Sequence, residues 1–120
     1  MIYLDNAATT KPSKAAIAAA EEAFCTFGNP SSLHRLGLAA EKLVKKSREE
    51  LAAVLHTAPA NILFTSGGTE SNNLAILGYC RANAKRGKHV ITTRIEHPSV
   101  LSAFTALEKE GFSVTCLGVD

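Results

Sequence analysis

No run of 18 apolar residues occurs in the 120-residue sequence, and the start Met1-Ile2-Tyr3-Leu4-Asp5-Asn6 has neither a basic stretch nor an apolar core behind one. The first absence argues against a membrane-spanning helix and the second against a secretory leader. Cysteine is scarce. Cys25, Cys80 and Cys116 cannot all pair within one chain, and none falls in a C-x-x-C or metal-type spacing, so a reducing, cytoplasmic setting without a bound metal is expected. Charge of one sign is also missing: 13 Lys+Arg against 11 Asp+Glu leave a formal +2. The pI of about 8.5 falls short of the value above ~9, with clustered basic residues, that marks nucleic-acid binders. There is no internal repeat, low-complexity tract or linker. What remains is ordinary globular material, 46% apolar and 20% charged, which excludes disorder along the whole chain. The length is below that of a typical domain and allows one core.

The pattern alternates helix and strand. After Ile2-Tyr3-Leu4, Pro12 precedes Ile17, Ala20, Phe24 and Phe27 at spacings that keep one helical face apolar. Gly28-Asn29-Pro30-Ser31-Ser32 is turn chemistry, and Leu36, Ala40, Leu43, Ser47, Leu51 and Val54 then trace a long amphipathic helix. Its Lys45-Lys46 pair, beside Arg48, Glu49 and Glu50, reads as a solvated face. Ile62-Leu63-Phe64, between Pro59 and Gly67-Gly68, suits a buried strand. A helix from Thr69, apolar nearly all round through Leu74 to Cys80, is expected to pack on two sides and to end at Lys85-Arg86-Gly87. Val90 to Thr93 is the next strand, Pro98 to Leu107 the next helix, and Phe112 to Leu117 a third strand closed off by Gly111. This βαβαβ order predicts an α/β fold with a mostly parallel sheet and flanking helices. The sequence stops directly after the third strand, and we expect it to be part of a longer protein. The three cysteines fall on helical stripes and in a strand, where small buried thiols are inert.

Open α/β sheets bind ligands beyond the carboxyl ends of their strands, and two such junctions stand out. In Thr65-Ser66-Gly67-Gly68-Thr69-Glu70-Ser71-Asn72-Asn73, two glycines allow a tight turn and close approach, and a fresh helix end supplies free N–H groups and about half a positive charge. Thr69, taken as the cap, adds a hydroxyl. The stretch lacks the P-loop lysine pattern and the dinucleotide glycine pattern, so a phosphate cradle for another ligand and a ligand-free capped turn both remain open. The second junction is Arg94-Ile95-Glu96-His97-Pro98, where Pro98 sets the helix start and His97 the hinge. A lone histidine there is more often a cap, but this one converges on the crevice of the first junction. His34 has a weaker case, and His56 and His89 read as surface or helix-end residues.

Tyr3-Leu4-Asp5-Asn6-Ala7-Ala8-Thr9-Thr10, Gly28-Asn29-Pro30-Ser31-Ser32 with His34 and Gly37, Phe64 to Asn73, and Glu96-His97-Pro98-Ser99-Val100 together resemble the amino-terminal third of a cysteine desulfurase of the class V aminotransferase family. The resemblance covers the whole chain with four motifs in order. It implies the amino-terminal part of a pyridoxal-phosphate-dependent transferase fold type I large domain. Residues 1–120 would be a single incomplete unit, with 1–60 an amino-terminal arm and helices and 61–120 the start of the cofactor-binding large domain. It implies pyridoxal 5'-phosphate as cofactor, its phosphate held by Gly68 and Thr69, with His97 stacked on the pyridine ring and acting in proton transfer. Asn29 and His34 would line the substrate side near a dimer partner. The implied activity removes sulfur from L-cysteine, leaving L-alanine and an enzyme persulfide for iron–sulfur clusters or tRNA thiolation, in a cytoplasmic homodimer serving a sulfur-acceptor or scaffold protein. Selenocysteine lyase or aminotransferase chemistry of the same family, and a non-catalytic stand-alone module, are the alternatives.

The family's cofactor-binding lysine, the aspartate on the ring nitrogen, the substrate arginine and the persulfide cysteine lie in later parts of the family sequence. Lys85, Lys88 and the three cysteines do not match them. The chain by itself is therefore expected to be inactive. In the fold it resembles, the first large-domain strand lies apart from the next two, with later strands between them, so the chain is also expected not to close.

Overall fold

The structure, a computed structural model, describes residues 2–119. They fall into two compact units, one ending at Leu63 and the other beginning at Phe64.

The first unit is helical. Helix α1, Lys14–Cys25, follows Pro12 and is capped by Ser13, whose hydroxyl accepts from the Ala16 N–H at 3.1 Å. Its alanines are the best helix formers, so the helix needs little packing, and it receives little: no residue of α1 is buried, and Phe24 is 90% exposed. The expected apolar face is present and uncovered. Helix α2, Arg35–Val54, buries only small residues, Gly37, Ala40 and Ala52. Its end forms a Schellman turn, with Thr57 N–H donating to Ala52 O at 2.9 Å and His56 N–H to Ala53 O at 3.3 Å; His56 takes the left-handed conformation this requires, φ 51°. A short 3₁₀ turn, Pro59–Asn61, then packs beside α2, and Arg48 of α2 donates to the Ile62 carbonyl.

The expected strand at Ile62-Leu63-Phe64 does not form; these residues are irregular, and Leu63 and Phe64 are exposed. A strand exists through its ladder, and among the described residues the only strand ladder is the one between His89–Thr93 and Ser113–Leu117.

The second unit begins with one continuous helical run in three parts: α3, Gly68–Asn73, a π-helical turn, Leu74–Gly78, and α4, Tyr79–Asn83. It ends earlier than the Lys85-Arg86-Gly87 signal suggested. Strand β1, His89–Thr93, helix α5, Pro98–Lys109, and strand β2, Ser113–Leu117, follow. β1 and β2 pair in parallel from His89↔Ser113 to Thr93↔Leu117, and Arg94 N–H donates to Leu117 O at 2.9 Å beyond the ladder. The core of this unit lies between α5 and the sheet: Ala103, Leu107 and Phe112 are buried, Leu107 fully. Gly111 closes α5 in a second Schellman turn at φ 85°, with Phe112 N–H on Leu107 O at 3.0 Å. At this end Arg81 and Glu110 form a two-pronged ion pair, and Lys88 lies 5.6 Å from the Phe112 ring centre. The pairing raises the Arg81 pKa and lowers that of Glu110.

Only the last βαβ of the expected βαβαβ is therefore paired, and its sheet is not covered on both faces: Ile91 is 59% exposed. Nor is the helical run packed on two sides. α3 and the π turn rest on α5, while Leu74 and Tyr79 stay exposed. For the same reason the cysteines are not buried: Cys25 and Cys116 are exposed and Cys80 is half-buried.

Candidate cofactor site

The turn from Thr65 into α3 is held by its own side chains. The Thr65 hydroxyl lies 2.7 Å from that of Ser71 and donates to Gly67 O at 3.2 Å. Glu70 reaches back so that one carboxylate oxygen accepts from both the N–H and the hydroxyl of Ser66, each at 2.6 Å. These two bonds, the hydroxyl's first, hold the Glu70 pKa below its ordinary value, so the carboxylate stays charged and bound to Ser66. The arrangement is a capping box displaced by one residue. The cap itself is Gly67, without a side-chain bond, and Thr69 stands one position inside Gly68. The expectation of Thr69 as cap is corrected: the helix begins two residues earlier than a Thr69 cap would place it.

Among the described residues, no side chain therefore fills the helix start, and the first intrahelical amide is Ser71 N–H on Gly67 O at 3.1 Å. The amides of Gly68, Thr69 and Glu70 are left without helical acceptors, as at any helix start, and the Thr69 hydroxyl has no partner among the described residues. Neither glycine is required by backbone conformation, and a β-carbon at Gly67 or Gly68 would meet nothing within 4 Å. Space is open where those β-carbons would stand. A phosphate fits these donors: backbone amides at the positive end of a helix, a free hydroxyl and room to approach.

His97 caps α5. Its Nδ1 accepts from the Ser99 N–H at 3.2 Å and lies 2.8 Å from the Ser99 hydroxyl. Ser99 Oγ in turn accepts from the side-chain amide of Asn72 at 2.9 Å. Asn72 is four residues into the helix that begins at Gly68, or about 6 Å of axial rise. The starts of α3 and α5 are thus bound side by side, and the structure brings Gly68, Thr69 and His97 to one end of the second unit. At the end of β1, the Thr93 hydroxyl donates to Glu96 at 2.9 Å and braces the loop before His97. Sequence reasoning did not single out Asn72, Ser99 or Glu70. The available signals were a hydroxyl two residues after a helix-capping histidine and an acid at the third helical position.

Asn29 and His34 lie in the first unit. Asn29 Oδ1 accepts from the Ser31 N–H at 2.9 Å, and its carbonyl accepts from Ser32 N–H, also at 2.9 Å. His34 caps α2, its Nδ1 accepting from Gly37 N–H at 3.3 Å. Both residues build the turn into α2.

A family model for class V aminotransferases matches residues 2–120. The chain is 50% identical to a NifS/IcsS protein homolog of Lactobacillus delbrueckii subsp. bulgaricus over all of its own length and 31% of that protein's. It is 46% identical to a cysteine desulfurase IscS of Neisseria gonorrhoeae, over 98% of this chain and 30% of the relative. A solved structure of SspA in complex with cysteine superposes with a TM-score of 0.83 at 39% identity, covering 96% of this chain and 33% of that one. The chain thus spans about a third of the length of the relatives it matches, their amino-terminal part, and it shares the fold type I architecture of the NifS-like enzymes. On this sequence match and this fold, the chain belongs to the class V aminotransferase family.

Proposed function

We propose that this chain supplies the phosphate-binding turn and the ring-facing histidine of a pyridoxal-phosphate cysteine desulfurase. The observation that carries the reading is the open start of α3, whose Gly67 cap makes no side-chain bond, tied directly to the His97-bearing start of α5. Gly68, Thr69 and Glu70 would present their amides, and Thr69 its hydroxyl, to the cofactor phosphate, while His97 would lie against the ring. The cofactor, when bound, supplies an electron sink for bonds to an amino acid's α-carbon. Ser66 keeps the Glu70 carboxylate occupied, which leaves the donors of the turn for the anion.

Desulfuration of L-cysteine to L-alanine, with transfer of a persulfide towards iron–sulfur clusters or tRNA thiolation, is supported by the names of the relatives and by the cysteine bound to SspA. The rest of the machinery is assigned to the intact protein. Lys85 and Lys88 lie beyond the far end of the helical run from Gly68, and Lys88 is engaged with Phe112, so neither serves as the covalent anchor. Asn29 and His34 are assigned to the substrate side of a homodimer that passes sulfur to an acceptor or scaffold protein. A cytoplasmic setting accords with three free thiols, and no helix among the described residues is long and apolar enough to cross a membrane.

The test is Thr69→Val in the intact protein. Loss of one hydrogen bond to a charged group is expected to weaken cofactor retention by about 1.5–3 kcal/mol, measured by equilibrium dialysis of pyridoxal phosphate. Unchanged affinity would sink the assignment of Thr69.

A further inference from the structure

Two histidines in this chain cap helices through Nδ1. His34 makes the single contact that capping needs, with the Gly37 N–H. His97 makes the equivalent contact with the Ser99 N–H and adds the Ser99 hydroxyl at 2.8 Å, behind which stands the Asn72 amide at 2.9 Å. Capping explains the first of these bonds and leaves the other two without a purpose.

Their directions are fixed by chemistry. The Ser99 N–H can only donate, so Nδ1 must accept; the Ser99 hydroxyl therefore gives its one hydrogen to the ring and takes the Asn72 amide on a lone pair. Nδ1 then faces two donors and carries no hydrogen, which places the hydrogen of the neutral ring on Nε2. Ser99 is only 9% exposed, so water competes little for the bonds. Nε2 itself has no partner among the described residues, and His97 is exposed.

We propose that Asn72 and Ser99 are positioning residues that set the tautomer and the ring orientation of His97, so that its resting Nε2 offers a hydrogen and not a lone pair. His97 then presents a hydrogen at Nε2, with the ring anchored at its opposite edge. The catalytic consequence rests on the reading of His97 as facing the cofactor; the tautomer does not.

The experiment uses the intact protein with ¹⁵N-labelled histidine, observed by two-bond proton–nitrogen correlation at about pH 8.5, some two units above the ordinary histidine pKa. His97 is expected wholly in the Nε2–H form. Asn72→Asp replaces the donor by an acceptor of the same shape, turns the Ser99 hydroxyl towards the carboxylate, and leaves only the Ser99 N–H on Nδ1, so His97 is expected to show at least about a tenth Nδ1–H. Ser99→Ala is expected to give a mixture with at least about a tenth Nδ1–H, and Ser99→Thr to restore the pure form. His34, outside the relay, serves as the reference and stays unchanged. An Nδ1–H resting form, or a His97 signal that neither Asn72→Asp nor Ser99→Ala alters, overturns the proposal. In the holoenzyme, Ser99→Ala is expected to lower kcat for sulfide release about tenfold with KM within about twofold, and Ser99→Thr to recover most of it. Equal loss in both variants overturns the positioning role. If His97→Ala leaves cofactor retention and turnover intact, the cofactor reading of His97 fails while the tautomer measurement still decides the relay.

Discussion

A β-carbon on Gly37 would lie 2.1 Å from the Ser32 carbonyl oxygen and 2.8 Å from that of Asn29, and one on Gly28 would lie 2.3 Å from the Leu36 carbonyl oxygen. In both places the obstruction is backbone, so the chain itself would have to move. The glycines of the Gly-Asn-Pro-Ser-Ser-x-His-x-x-Gly stretch are thus explained by close packing of the turn on the first turn of α2. Gly67 and Gly68 are not explained in this way, since nothing among the described residues presses on them. Gly37→Ala in the intact protein is expected to destabilise by about 1–3 kcal/mol through overpacking, read as a lower midpoint in urea. A midpoint within error of the parent would show that the turn can shift freely. His34 and His97 look alike as sequence, a histidine before a helix, and they differ in what stands behind the ring: a backbone amide alone for His34, and the Ser99 hydroxyl and Asn72 as well for His97.

Two helix ends of the same design differ in their chemistry. Schellman turns close α2 at His56 and α5 at Gly111, both with positive φ. Glycine adopts that conformation without penalty, whereas a residue with a β-carbon pays about 1 kcal/mol. His56→Gly is therefore expected to stabilise the intact protein by up to about 1 kcal/mol, measured by denaturant titration. Any destabilisation would mean that the imidazole makes a compensating contact in the whole protein. The turn at Gly111 is also sealed by the buried pair Leu107 and Phe112, the apolar contact that commonly accompanies the motif. The π turn at Leu74–Gly78 is an element no periodicity disclosed. Its residues are as apolar as an ordinary buried helix, and one extra residue in a turn leaves no mark on composition.

On the scale of the whole molecule, the exposed faces of α1 and of the two-stranded sheet are surfaces of a fold that this chain does not complete. Expressed as residues 1–120, the chain is expected to release no sulfide from L-cysteine, to form no coloured adduct with pyridoxal phosphate and to unfold without a cooperative transition. The first two follow from the lack of an anchoring lysine at the candidate site and the third from the small core. A cooperative melt together with sulfide release would contradict all of this. The sequence by itself determined the helices and their order, the turn chemistry and the family, because caps, alanines, glycines and prolines act within a few residues of themselves. It also marked Gly68, Thr69 and His97 through the residue types at two helix starts. Only the tertiary structure decided that Ile62 to Phe64 has no ladder, that Gly67 and not Thr69 caps α3, and that Asn72 and Ser99 stand behind His97. Strand pairing and the Asn72–Ser99 bond join residues far apart in the chain, and the displaced cap depends on where the backbone turns, so each is set by packing that local pattern does not encode.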